Sequence, residues 1–249
     1  MQLIIAPAKK MRVDPDSFAS LSTPQFLPQT EEILAAMRQL DYDQLQTLWA
    51  CSDRLAAANF HQLQRLRLDG PQLTPAIIAF VGVQYQSMAP DLLTEPALQY
   101  IQDNLRILSG FYGLLRPFDA IVPYRLEMGS RLPVTHAANL YTFWGSRLHD
   151  ALDFSHGPLI NLASAEYAKA IRPFLNADER LISIRFGHRV AGRIKTRATK
   201  AKIARGAMVR FMAENHITDV TDIKAFDHPL YQFAPQESTT DELVFLTEQ

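Results

Sequence analysis

Cysteine occurs once in these 249 residues, at Cys51. A lone thiol excludes an internal disulfide and any zinc site built from several cysteines. No run of about 18 apolar residues occurs either, which is the length a membrane-crossing helix needs. The opening Met1–Lys10 is apolar from Leu3 to Ala6 before Pro7. It lacks the leading positive charge and longer apolar run of an export signal. The seven histidines, His61, His136, His149, His156, His188, His216 and His228, show no spacing that sets two imidazoles on one helix face, and neither a Walker loop nor a dinucleotide fingerprint is present. The expectation is a cytoplasmic monomer with no metal, no cofactor and no membrane partner.

One absence is local. Between Leu181 and Ala213 there is no Asp or Glu, while nine Arg and Lys stand there: Arg185, Arg189, Arg193, Lys195, Arg197, Lys200, Lys202, Arg205 and Arg210. The whole chain holds 25 basic and 26 acidic residues, so the remainder has 16 basic against 26 acidic. A near-neutral net charge therefore hides a strong internal asymmetry. Such a field attracts polyanions, and phosphate backbones release counterions to clustered cations. A merely solvated face is the plain alternative.

With 47% hydrophobic residues the chain can bury a sizeable core. Strand and helix patterns alternate without a linker or repeat, so positions 1–249 read as one α/β domain, mixed α+β, with a mixed sheet flanked by helices. Leu3–Ala6 and Leu159–Leu162 suit buried strands. Leu181–Phe186 alternates, and Gly192–Thr196 pairs with it across a turn near Gly187. Thr30, Asp41, Ser52 and Thr199 are expected helix caps. Thr94-Glu95-Pro96 opens a helix expected to run through Leu108, with Leu98, Ile101, Leu105 and Leu108 at helical spacing.

The central third holds the most distinctive chemistry. In Leu108–Pro117, Gly110 and Gly113 allow tight backbone turns, and backbone N–H groups at such a turn can meet a phosphate. A simple helix end at Gly110 is the competing reading. In Pro123–Gly129, Arg125 and Glu127 share a face if the segment is a strand; they form either a site-holding ion pair or an edge salt bridge. Leu140–Gly145 is dense in aromatics, for core packing or for base stacking. Asn161-Leu162-Ala163-Ser164 leads from a strand into a helix, a geometry that suits phosphate and equally an ordinary Ser164 cap.

These pieces together resemble one known family. They are Ile4–Lys9, Ser52–Ala56, the long block LSGFYGLLRPFDAIVPYRLEMG from Leu108 to Gly129, LYTFWG from Leu140, INLASAEY from Ile160, Ala204-Arg205-Gly206 and Glu242–Phe245. In this order, over essentially the full length, they resemble the YaaA family of peroxide-stress proteins. The resemblance implies protection under hydrogen peroxide through limiting free iron and the DNA damage it drives. It also implies a single α/β domain with a helix-hairpin-helix element, a positively charged cleft and association with DNA. Leu108–Leu115 is the candidate for that element, and 185–210 for one cleft wall. The chain departs from the family where Gly82-Val83-Gln84-Tyr85 lacks an Asp, where Ile203 replaces a Lys, and where Ala165 replaces an acid. Those departures put any catalytic or metal role of the missing Asp in doubt.

Two functions follow. The first is a non-catalytic stress protein binding duplex or structured DNA with weak sequence preference. It would use Lys9, Gly110, Gly113, Arg116, Arg185, Arg193, Lys195, Arg197, Lys200, Lys202 and Arg205. The second is an enzyme acting on a nucleotide or other phosphorylated small molecule, in a pocket of Lys9, Arg125, Glu127, Asn161 and Ser164. An enclosed cavity favours the second; a long open groove favours the first.

Overall fold

The computed structural model describes residues 1–247. Its centre is an eight-stranded sheet. In chain order the strands are β1 (Leu3–Ile5), β2 (Leu105–Ser109), β3 (Gly113–Leu115), β4 (Leu159–Asn161), β5 (Leu181–Val190), β6 (Arg193–Lys195), β7 (Gln232–Phe233) and β8 (Glu242–Leu246). Across the sheet they run β7-β8-β5-β4-β1-β2-β3, with β6 paired to β5 outside that path. Strands β8, β5, β4, β1 and β2 are mutually parallel, and β7, β3 and β6 pair antiparallel. Parallel strands are covered on both faces and so read as unbroken apolar runs. Accordingly Leu3, Ile4 and Ile5 are all fully buried. This is the mixed α/β architecture that the sequence pattern implies.

The principal helices are α1 (Leu27–Arg38), α2 (Tyr42–Trp49), α3 (Asp53–Arg65), α4 (Val83–Met88), α5 (Glu95–Asn104), α6 (Ala165–Ala168) and α7 (Ala198–Glu214). Asp41 caps α2 as expected, in a reciprocal box with Gln44 that satisfies two orphan N–H groups at once. Helix α1 instead starts at Leu27 with Pro28 in its first turn, a position where the missing N–H costs nothing. Thr30 is therefore interior and buried, its hydroxyl donating to the Phe26 carbonyl at 2.9 Å. No side chain caps α7, whose preceding residue is Arg197 rather than Thr199.

Helix α5 stops at Asn104, and Leu105–Leu108 enters the sheet as β2. The helical spacing of the leucines was a coincidence of composition. With β1 on one side and β3 on the other, ladder hydrogen bonds and burial on both faces outweigh local propensity. The segment 108–115 is consequently a β-hairpin and not a helix-hairpin-helix. Ser109 pairs with Gly113, and the Ser109 hydroxyl accepts from the N–H groups of Phe111 and Tyr112 at 3.2 and 2.8 Å. Gly113 has φ +75°, and a Cβ there would lie 2.8 Å from the Trp144 ring. A helical pair does occur elsewhere: α2 packs on α3 through Tyr42 and Phe60, with ring centroids 5.5 Å apart. The turn between β5 and β6 falls at Ala191-Gly192, both with positive φ, and Gly187 lies within β5.

Chain order reverses at β1. From β1 the chain passes to β2 on one side, and later returns as β4 on the other. The carboxyl ends of two strands that diverge in this way leave a crevice, which is where open α/β sheets receive ligands. Here that crevice lies between the segments following β1 and β4.

Candidate anion-binding cleft

The crevice is a half-open cleft of about 430 Å³. Ala6–Lys10 leaves β1 along one wall, and Ser164 with Glu166 and Tyr167 follows β4. Gly82–Tyr85 at the start of α4, the strip Tyr124–Glu127, and Lys202 with Arg205 on α7 complete the lining.

Helix α7 reaches the cleft because of Gly206. A Cβ at that position would lie on the Gln84 carbonyl oxygen, so only glycine lets α7 press its backbone against α4. The contact face of α7 is otherwise small or apolar: Ala201, Ala204, Met208, Val209, Met212 and Ala213 are buried. Lys202 and Arg205, three residues apart, share another face and point into the cleft lining.

The strip Tyr124–Glu127 forms no strand, so the shared strand face considered for Arg125 and Glu127 is not what brings them together. The strip is held from below by the buried hairpin. The Tyr124 ring stacks on Phe111 at 4.9 Å, its hydroxyl lies 2.6 Å from the Ser109 hydroxyl, and burial pushes its pKa up. Arg125 and Glu127 do meet: Arg125 Nη2 is 3.3 Å from Glu127 Oε1, which also receives Lys9 Nζ at 2.8 Å. Arg125 Nη1 donates to the Lys9 carbonyl. Glu166 is engaged as well, accepting from the Gly129 N–H at 2.8 Å. The Tyr85 hydroxyl donates to the Ala6 carbonyl at 3.0 Å, and burial raises the pKa of Tyr85 and Tyr167. These rings are neutral walls.

Charge in the cleft is lopsided. Lys9, Lys10, Arg125, Lys202 and Arg205 face two carboxylates, Glu127 and Glu166, and both acids are already bonded. Burial also pushes the Arg205 guanidinium pKa below its ordinary value, because the charge has given up water without gaining a partner. An anion entering the cleft would relieve that cost.

Four of the five residues expected to form a pocket therefore come together: Lys9, Arg125, Glu127 and Ser164. The fifth, Asn161, is buried beneath them; its amide donates to Ser183 and accepts from the Ala163 N–H. The expected polyanion contacts scatter. Lys9, Lys202 and Arg205 join the cleft, while Arg185 pairs with Glu242; of the other cations in 181–213, Arg189 pairs with Glu237 and Arg210 with Glu214. Arg197 and Lys200 line a separate depression with His188 and His228, and Arg193 and Lys195 are exposed on β6. Arg116 is exposed beyond β3, beside Arg106 and Asp119. Gly110 and Gly113 are buried and offer no surface to a ligand. Gln84, Tyr85, Lys10 and Glu166 were not foreseen as site residues; the only hint was that Gly82–Tyr85 and Ala165 depart from the family pattern.

Among the described residues, no group of three or more His, Cys, Asp and Glu side chains is placed to hold a metal ion. None of their helices is long and apolar enough to cross a membrane.

Fold and cleft define an α/β protein with a cationic crevice at a strand-order reversal. The family model described as "Peroxide stress protein YaaA" matches residues 1–237, and the chain belongs to that family. It is 56% identical to a UPF0246 protein of Lactiplantibacillus plantarum over 246 residues, covering 99% of each chain. It is 54% identical to one of Lacticaseibacillus casei, again with 99% of each chain covered. A UPF0246 protein of Pediococcus pentosaceus is 52% identical, with 99% of this chain and 98% of the other covered.

Proposed function

We propose that this chain serves the peroxide-stress response of its family by holding a phosphate-bearing ligand in the cleft between the ends of β1 and β4. One observation carries the reading. Lys9, Arg125, Lys202 and Arg205 arrive from three distant stretches of sequence at one small crevice, where the two carboxylates contributed by the described residues are already bonded. Convergence of that kind serves an anion better than a solvated face, where cations stay apart. The scale of the cleft, about 430 Å³, fits a nucleotide-sized ligand, since small-molecule sites run to roughly 300–1,000 Å³.

Duplex DNA is the second reading, favoured by the exposed cations Arg193, Lys195 and Arg197 next to Lys200. In that case the protein would cover DNA through its phosphates and so limit iron-driven oxidative damage. Calorimetric titration with inorganic pyrophosphate, beside titration of a labelled duplex at several salt concentrations, tests both. Saturable pyrophosphate binding that weakens in Arg125→Ala supports the cleft. Duplex binding with a log–log slope near −0.9 per phosphate contact, indifferent to Arg125→Ala, would move the function to the β6 surface. Binding of neither ligand would sink the proposal.

A further inference from the structure

Three buried side-chain polar atoms in the described residues have no hydrogen-bond partner: Trp49 Nε1, Gln84 Nε2 and Arg205 Nε. Two of the three belong to residues that line the same cleft, Gln84 and Arg205. Buried donors are nearly always satisfied, and each exception calls for a cause. Gln84 is 7% exposed, and Gly206 keeps its backbone against α7, one residue from Arg205. The pair therefore sits at the α4–α7 contact, deeper than Lys9, whose side chain is 64% exposed at the rim.

We infer that Gln84 and Arg205 form an oxyanion subsite at the base of the cleft that accepts a terminal phosphate, a phosphomonoester, and not the diester of a continuous nucleic-acid backbone. This rests on the proposed phosphate-binding role of the cleft and specifies which phosphate enters. A monoester has three free oxygens and is flanked by its ester on one side only, so it can be pushed into a recess end-on. A backbone diester has two free oxygens and sugar on both sides, which confines it to the rim. The amide of Gln84 donates without charge, and Arg205 supplies the charge-assisted bond that a phosphate dianion strengthens. The rim cations Lys9 and Arg125 would then meet the rest of the ligand. Free nucleotides and phosphorylated strand ends both present this group.

The experiment uses the full chain and one short single-stranded oligonucleotide, prepared with a 5′-phosphate and with a 5′-hydroxyl. The phosphorylated form is expected to bind at least about tenfold tighter, the effect of one hydrogen bond to a charged group. Gln84→Met keeps the side-chain length and deletes the unpartnered donor. It is expected to melt at the same temperature or higher, and to lose most of the preference for the 5′-phosphate. Competition by a nucleoside 5′-monophosphate, but not by the nucleoside, assigns the group to a small molecule. Competition only by the phosphorylated strand assigns it to a nucleic-acid end, and either result supports the subsite. Equal binding of the two oligonucleotides overturns the subsite while leaving the cleft as an anion site. A fall in the melting temperature of Gln84→Met would reveal a structural partner and also overturn it. No binding of any phosphate compound removes the cleft reading itself.

Discussion

The turn of the β2–β3 hairpin and the cleft lie at the same end of the parallel strands, and they differ in how their polar groups are satisfied. In the hairpin every polar group named here has a partner. Ser109 bonds Tyr124 and two backbone N–H groups, the Tyr112 hydroxyl accepts from the Val122 N–H, and Trp144 Nε1 donates to the Gly110 carbonyl. In the cleft, Gln84 and Arg205 hold buried donors without acceptors. One is a closed structural unit, and the other leaves buried donors unpartnered among the described residues. Partner accounting distinguishes a support from a site where sequence distinctiveness does not.

The largest effect that could break this comparison is expected at Gly113. Gly113→Ala forces a positive φ on a residue with a side chain and drives its Cβ into Trp144 and Leu148. Overpacking typically costs about 1–3 kcal/mol, and loss of glycine at positive φ adds to it. Denaturant unfolding should show a loss of roughly 2–4 kcal/mol. A variant as stable as the parent would mean that the hairpin is loose, and would reopen it as a ligand-contacting turn.

A change in the cleft should do the reverse. Arg205→Met removes a desolvated charge that has no ionic partner among the described residues, so stability should hold or rise. Affinity for pyrophosphate should fall about tenfold or more, as expected when a charge-assisted bond is lost. Calorimetry paired with thermal melting reads both quantities. Destabilisation with unchanged affinity would make Arg205 a structural residue like those of the hairpin.

A third test lies away from both regions. His149 in the short helix Arg147–Asp150 is buried between Glu179 Oε2 at 2.6 Å and Asp150 Oδ1 at 3.0 Å. Burial lowers its pKa, but the two carboxylates outweigh that and the net shift is upward from 6.5. A raised imidazole contributes stability that is complete below the unfolded value and fades as pH climbs through the folded one. Asp150 and Glu179 are lowered, so their contribution fades only in acid, below 3.8 and 4.5. Melting temperature should therefore decline as pH is raised above about 6.5, and His149→Gln should flatten that decline. An unchanged pH profile in His149→Gln would dismiss the pairing.

The smallest effect concerns Glu127, which shares one oxygen between Lys9 and Arg125. Partly exposed ion pairs contribute about 0–1 kcal/mol, so Glu127→Gln should barely change stability. Removing the negative charge should strengthen anion binding a few-fold at low salt and less at high salt. Weaker pyrophosphate binding would instead show that Glu127 orients Arg125 for the ligand.

Much of the architecture was legible from local pattern. The apolar runs at Leu3 and Leu159, the cap at Asp41, and the alternation in Leu181–Phe186 each reflect forces acting within a few residues. The misreadings came where a short apolar stretch satisfied two patterns at once. Leu105–Leu108 has helical spacing and also suits a strand buried on both faces, and only the neighbours β1 and β3 decide between them. The site divided in the same way. Arg125 and Glu127 were legible as a pair because they are two residues apart, whereas Gln84 gave no signal, since nothing nearby in sequence indicates that its amide goes unpaired.

By itself the sequence determined the family, the α/β class, the excess of cations in 181–213, and the pairing of Arg125 with Glu127. Each of these is carried by residue identity and short spacing. Tertiary structure alone decided which cations work together. Ion pairs with Glu242, Glu237 and Glu214 withdraw Arg185, Arg189 and Arg210, while the glycine contact between α7 and α4 delivers Lys202 and Arg205 to the reversal point at β1. Charge is a property of the residue, but an electric field depends on distances, and those distances are set by strands and helices far apart in the chain.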